Sequence, residues 1–185
     1  MNGPGGDYDM SWIPPHAVPY AARDHLVALT ASATTVLLGN EGFVGFGGFW
    51  PSVVADDAAD PRDRAFARWL ITVEKVVFLT ASTETQWPNS RIAHNSTASV
   101  VDDLRRQPGG DILALGGSRV IKDLLAADQV DTLSLVVCPE IAGNGDRLFD
   151  DGLAESSWAL TDATPTETGA ICLLYDRRPD PSARR

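Results

Sequence analysis

One segment constrains the fold of this chain more than any other: residues 111–149, DILALGGSRVIKDLLAADQVDTLSLVVCPEIAGNGDRLF. An apolar run from Ile112 to Leu115 stops at Gly116-Gly117, a helix-like stretch follows, and a second apolar run ends at Cys138-Pro139 before a Gly-Asn-Gly loop. Runs this short, bounded by glycine and proline, read as strands with a helix between them. A strand that stops at a glycine pair just before a helix is suited to holding a phosphate. Glycine lets the backbone come close, and the first helical N–H groups point outward from the positive end of the dipole. The segment points to a nucleotide-cofactor enzyme.

The rest of the chain extends the alternation. Residues 1–19 read as loop, and 20–33 carry Leu26 and Leu29 at helical spacing. Thr34–Leu38 is a strand closed by Gly39. Residues 40–50, NEGFVGFGGFW, interleave Gly45, Gly47 and Gly48 with aromatics, which reads as a tight aromatic-lined turn or a helix packed closely on the sheet. A short helix over 62–70, a strand over Lys75–Thr80, a further short strand and a helix near 98–107, capped by Ser96, Thr97 or Ser99, complete this part. After residue 140 only strands remain, near 157–163 and 169–177. The order predicts an α/β sandwich with a mostly parallel sheet and antiparallel C-terminal strands, in one domain over 1–178, with a disordered tail at 179–185.

Charge and composition exclude several functions. The net charge is −10 with no basic stripe, so nucleic acid and anionic membrane are poor partners. The same acidity works against a polyanionic cofactor, so a phosphate site here must rely on backbone N–H groups, a helix end or one or two arginines. No apolar run approaches the ~18–20 residues that span a bilayer. The N-terminus lacks the basic-then-apolar pattern of a secretory signal, and Cys138 and Cys172 read as buried free thiols, which together predict a cytoplasmic protein.

Other chemistry finds little support. Neither G-x-G-x-x-G after a strand nor G-x-x-x-x-G-K-[ST] occurs, and G-x-S-x-G is absent. His16, His25 and His94 have no ligand spacing, and there is no Cys-x-x-Cys, so no metal is expected. Asp56-Asp57, Asp102-Asp103 and Asp150-Asp151 are adjacent residues whose side chains diverge, as on solvated loops. Gly116-Gly117 stands out because a strand precedes it and a helix follows, with Ser118 placed as N-cap.

With those motifs in place, the chain resembles the dihydrofolate-reductase-like superfamily, and within it the riboflavin-biosynthesis reductase C-terminal domain group. The matching pieces are GPGGDYDMSW at 3–12, VLLGNEGFVGFGGFWP at 36–51, KVVFLTAST at 75–83, WPNSRI at 87–92 and the segment 104–149, in the family's order. The resemblance implies NADPH at the strand ends and hydride transfer to a pteridine- or pyrimidine-like ring. It places Gly116 and Gly117 at the cofactor pyrophosphate, with Ser118, Arg119 and Val120 opening the helix beside it. Leu38 and Gly39 would face the other side of the cofactor, and Trp12, Phe43 and Trp50 would lie near the ring cleft. A homodimer, paired through its sheets or C-terminal strands, is expected on the same ground.

Three departures follow from the same comparison. The family's Gly-Arg-x-Thr pattern has Asn40 and Gly42 in place of Arg and Thr. Its Ser-x-Thr, which helps hold the adenosine 2′-phosphate, falls on Leu79 and Ala81, with Ser82 and Thr83 close by. Its first strand, ending in a Ser-Leu-Asp-Gly-like segment, has no counterpart before residues 3–12. Either the natural start lies upstream of Met1, or a partner chain or rearranged segment fills the gap. The reading that leads is an NADPH-dependent reductase. The alternative is a family member with a degraded cofactor site that binds a small heterocycle or does non-redox chemistry, and a structural protein reusing the fold comes third. Asp7 and Asp9 are the nearest acidic groups for a proton donor, and no catalytic residue is assigned.

Overall fold

The computed structural model describes residues 13–78, 87–141, 147–149 and 152–179. Its elements run α1 (Pro14–Ala17), α2 (Tyr20–Thr30), β1 (Ala33–Gly39), α3 (Asn40–Ala55), α4 (Pro61–Thr72), β2 (Glu74–Phe78), β3 (Ser90–Ile92), α5 (Thr97–Arg105), β4 (Asp111–Ala114), α6 (Ser118–Ala126), β5 (Thr132–Val137), β6 (Trp158–Pro165) and β7 (Ile171–Arg177). The chain divides into two compact units, one of Leu26–Ala127 and one of Met1–His25 with Asp128–Arg185.

The Leu26–Ala127 unit holds a parallel sheet in the order β3-β2-β1-β4. The centre of this sheet is apolar on both faces, as a parallel sheet covered by helices must be. Val36, Leu37 and Leu38 of β1 are at most 1% exposed. Side chains alternate along a strand, so Val36 and Leu38 share one face. They pack there with Phe66, Leu70 and Val73 of the α4 region, ringed by Phe43, Phe46, Trp50, Trp69 and Trp87. On the other face, Gly39 lies against Gly117 and Val120 of α6. Asp60 caps α4 by accepting from the Arg62 N–H at 2.8 Å, and Pro61 occupies the first turn, where its missing N–H costs nothing. Ser96 caps α5 by accepting from the Ser99 N–H at 3.3 Å.

Lys75 is fully buried in β2. Its Nζ donates to the Ile71 and Val73 carbonyls at 3.2 and 2.7 Å and sits 5.0 Å from the centre of the Trp87 ring. Burial pushes the ammonium's pKa down to about 8, because the charged form loses its water.

The second unit holds an antiparallel sheet in the order β5-β7-β6. Two histidines make hydrogen bonds within this unit. His16 of α1 makes hydrogen bonds to Thr168 Oγ1 at 3.1 Å and Glu140 Oε1 at 3.2 Å. His25 Nε2 lies 2.7 Å from Ser134 Oγ. Burial holds the His25 pKa low, against an opposing pull from the Asp162 carboxylate.

Parallel and antiparallel strands are both present, as expected, but the pairing makes two sheets of them. Among the described residues, β5, β6 and β7 pair with one another in a sheet of their own. Helix α2 ends at Thr30, short of the expected 33, because β1 takes Ala33 into its ladder with β4. Residues 14–17, read as loop, form one helical turn that starts at two prolines, residues suited to a first turn. Cys172 is buried and Cys138 half-buried, both as free thiols. The expected disordered tail falls almost wholly outside the described residues.

Candidate functional site

Strands β1 and β4 are parallel neighbours, with Leu37 opposite Ala114, so their C-terminal ends leave the sheet side by side. The Leu115 N–H extends this ladder to the Leu37 carbonyl at 3.0 Å, and the Gly39 N–H donates to the Gly116 carbonyl at 3.2 Å. β1 turns directly into α3, and β4 reaches α6 across Leu115, Gly116 and Gly117. Gly39 is the N-cap of α3 and Gly117 the N-cap of α6.

Four glycines make this junction possible. Gly116 and Gly117 have φ of +69° and +116°, in the region where a side chain crowds the backbone. A Cβ on Gly42 would lie 3.0 Å from the Gly116 carbonyl oxygen, and one on Gly117 would lie 3.1 Å from Gly39 Cα. Two strand ends and two helix starts therefore pack backbone against backbone. At the Gly42 position, which the family pattern fills with threonine, a side chain fits only if the Gly116 carbonyl gives by a few tenths of an ångström.

The consequence is electrostatic. Neither N-cap supplies a side-chain acceptor. The first N–H groups of a helix have no partner inside the helix, and here the starts of α3 and α6 lie side by side. Two partial positive charges converge at one spot. Arg119 is exposed in the first turn of α6 and adds a full positive charge. Glu41, exposed in the first turn of α3, opposes it. Ser118 is the first helical residue and not the expected cap, because the turn at Gly117 starts the helix one residue earlier.

The other expected site residues fall in different places. The Leu38 side chain is fully buried and Val120 is 4% exposed, so only their backbone can meet a ligand. Asn40 is exposed at the start of α3. The half-buried Phe43 packs against Trp87 with ring centres 5.6 Å apart. Trp50 meets Phe66 edge-on at 4.6 Å and belongs to the packing of the apolar core. Trp12, Leu79 and Ala81 lie outside the described residues, as do Asp7 and Asp9.

Trp87 was not singled out by its sequence context. With Phe43, Val44, Gly47 and Pro88 it lines an apolar notch of about 350 Å³ beside the first two turns of α3. Only the fold brings it there, since nothing in WPNSRI marks its tryptophan as a partner of residue 43. Among the described residues, no group of three His, Cys, Asp or Glu side chains could hold a metal ion, and no helix is long and apolar enough to cross a membrane.

Comparison with known proteins narrows the reading. A family model described as the RibD C-terminal domain matches residues 5–172. The uncharacterized protein YyaP of Bacillus subtilis (strain 168) is 25% identical over 142 residues, covering 76% of this chain and 72% of that protein. A Shewanella sp. PV-4 protein provisionally assigned to riboflavin biosynthesis has a similar structure, with a TM-score of 0.65 and 16% identity over 97% of this chain and 92% of that one. The dihydrofolate reductase of Enterococcus faecalis, solved in complex with NADP(H), aligns with a TM-score of 0.54 and 20% identity over 84% of this chain and 82% of its own. At these identities the structural likenesses establish the fold, which is dihydrofolate-reductase-like.

Proposed function

This chain belongs to the RibD C-terminal domain family, and on that footing we propose that it is a small NADPH-dependent reductase acting on a pteridine- or pyrimidine-like ring. One observation carries the reading: two uncapped helix N-termini meet at the four-glycine junction of β1 and β4. That arrangement fits a dinucleotide's diphosphate, which needs several N–H donors converging where no side chain intrudes. The Enterococcus faecalis enzyme, of similar fold, holds NADP(H).

In this role backbone N–H groups at the start of α6, those of Ser118–Val120, together with the Asn40 end of α3 bind the diphosphate, and Arg119 neutralises part of its charge. Gly116 and Gly117 keep the backbone path open. When bound, the reduced nicotinamide supplies the hydride. The protein's part is to hold the two rings in register and exclude water.

A second reading is favoured by Asn40, Gly42 and the acidic Glu41 at the cradle: a family member that binds a small heterocycle without NADPH. Titration of NADPH and NADH, followed by tryptophan fluorescence and melting temperature, decides between them. Saturable quenching with a rise in melting temperature supports the reductase. No change at millimolar NADPH refutes it and leaves the second reading.

The homodimer is also a proposal. Register places Leu133, Leu135, Val137, Leu160, Ile171, Leu173 and Tyr175 on one face of the antiparallel sheet. Val137, Leu160 and Ile171 are 51%, 53% and 40% exposed, and none of the face residues is acidic in a chain of net charge −10. Sheet-on-sheet pairing of two copies would cover this face. Analytical ultracentrifugation of wild type and Leu160→Glu tests it, and a wild-type monomer at every concentration refutes it.

A further inference from the structure

The sheet of β5, β7 and β6 has two unlike faces. One is the apolar face of Leu135, Leu160 and Leu173. The other carries Ser134 of β5, Cys172 and Leu174 of β7, and Asp162 and Thr164 of β6. Asp162 is there because of an irregularity in β6. Leu160 lies opposite Tyr175, so in a regular antiparallel ladder Asp162 would lie opposite Leu173, on the apolar face. The register slips at Thr161 instead, and Asp162 lies opposite Leu174, which Ser134 also faces from the other side. Thr161 Oγ1 donates to the Leu174 carbonyl at 3.1 Å and ties down the extra residue. A bulge disrupts a ladder and re-aims a side chain. This one turns a carboxylate onto the face of Ser134.

His25 of α2 meets the same face. Its Nε2 lies 2.7 Å from Ser134 Oγ, and the Asp162 carboxylate is near enough to oppose the effect of burial on the ring. All three residues belong to the one unit of Met1–His25 with Asp128–Arg185. Burial holds the His25 pKa below its ordinary 6.5, so the ring is a neutral base at pH 7. The face is open: Ser134 is half-buried, Asp162 is exposed, and Val136, next along β5 on this side, is 44% exposed.

A serine hydroxyl bonded to a neutral imidazole, with a carboxylate beside the ring, is the arrangement that turns serine into a nucleophile. We propose that Ser134, His25 and Asp162 form an acyl-acceptor site, in which Ser134 takes the acyl group of a small, uncharged, activated ester. Ser134 Oγ forms a bond to the carbonyl carbon and its proton passes to His25 Nε2. The bond from that carbon to the leaving oxygen breaks, and the oxygen departs with the electron pair and the proton. Water then loses a proton to Nε2 and adds to the acyl carbon. Oγ leaves and recovers that proton, and the carboxylic acid is released. Asp162 stabilises the imidazolium in both steps. Small and uncharged follow from the surroundings: Leu174 is the apolar floor between Ser134 and Asp162, and the carboxylate and the net charge of −10 repel an anion. The site needs neither the glycine junction nor a cofactor, so it stands apart from the reductase reading.

The test uses p-nitrophenyl acetate on the full chain, with p-nitrophenolate release followed by absorbance and the acetyl group located by peptide mass spectrometry. Wild type should carry an acetyl group on Ser134. Ser134→Ala should remove it, and His25→Gln, which still offers Ser134 a hydrogen bond, should slow acylation there about 100-fold or more. The titratable and charged groups around the ring are Asp162, Asp176 and Cys172 on the sheet face and Arg23 and Asp24 on α2. Acylation of Ser134 should rise with pH through a midpoint below 6.5, and Asp162→Asn should move that midpoint lower, because the carboxylate that raises the His25 pKa is gone. If Ser134→Ala does not fold, Ser134→Cys carries the test: its thiol should take iodoacetamide at least about 10-fold faster than Cys138, and adding His25→Gln should abolish the difference. Acetyl groups on lysines with none on Ser134, an unchanged rate in His25→Gln, or a midpoint that Asp162→Asn leaves in place overturns the proposal.

Discussion

Replacing Lys75 with methionine tests whether the buried ammonium is a cost that the fold carries. The side chain has no exposed surface, and its charge is met by the Ile71 and Val73 carbonyls and the Trp87 ring. These contacts do not offset desolvation, since the pKa stands at about 8 against an ordinary 10.5. Each unit corresponds to about 1.36 kcal/mol, so a gap of about 2.5 units disfavours the charged folded state by about 3 kcal/mol. The sign follows from proton binding. Below pH 8 both states hold the proton and the full cost is present. Between pH 8 and 10.5 the unfolded chain holds more protons than the folded one, so stability rises with pH. Wild type should therefore gain up to about 3 kcal/mol relative to Lys75→Met across that window. The assay is urea unfolding of both proteins at pH 7, 8, 9, 10 and 10.5. Other groups that titrate in this range are common to both proteins and cancel in the difference. A wild-type-minus-variant difference that stays flat from pH 7 to 10.5 would show that the ammonium is not desolvated as argued.

Other perturbations reach the site and its supports. Gly42→Ala puts a methyl 3.0 Å from the Gly116 carbonyl oxygen and should cost about 1–3 kcal/mol in urea unfolding and weaken NADPH binding, whereas unchanged stability would mean that the junction is looser than described. Ser96→Ala removes the cap on the Ser99 N–H and should cost about 1 kcal/mol, with no effect on ligand affinity. His25 has a lowered pKa, so the unfolded chain takes up its proton first as pH falls. Its contribution to stability is present above pH 6.5 and is lost below. A His25→Gln variant should flatten that part of the profile between pH 7 and 5, and equal slopes in the two proteins would contradict it.

Much of the architecture was legible because it depends on neighbours in sequence. The apolar run Ile112–Leu115 with Gly116-Gly117 and a helix after it is a local pattern, and the structure has β4, two left-handed glycines and α6 in that order. Ser96 capping α5 is equally local. Gly45, Gly47 and Gly48 left turn and helix both open, since their sequence is poor for a helix and only contact with the core holds α3 together.

What sequence could not supply is the pairing of segments far apart. Gly42 stands where the family pattern has threonine, and the structure brings the Gly116 carbonyl into tight contact with it. The edge-on contact of Trp50 with Phe66 joins helices α3 and α4. Lys75, one of two charged residues in EKVVF, became a buried cation only because β2 lies between β1 and β3, with Trp87 over its ammonium. The chain by itself determined where strands, helices and glycine turns fall, because dihedral preference and periodicity act over a few residues. The tertiary structure decided which of those turns meet, and so turned one glycine pair into a four-glycine junction with two helix dipoles aimed at it. Such a junction depends on backbone contacts that no single segment encodes.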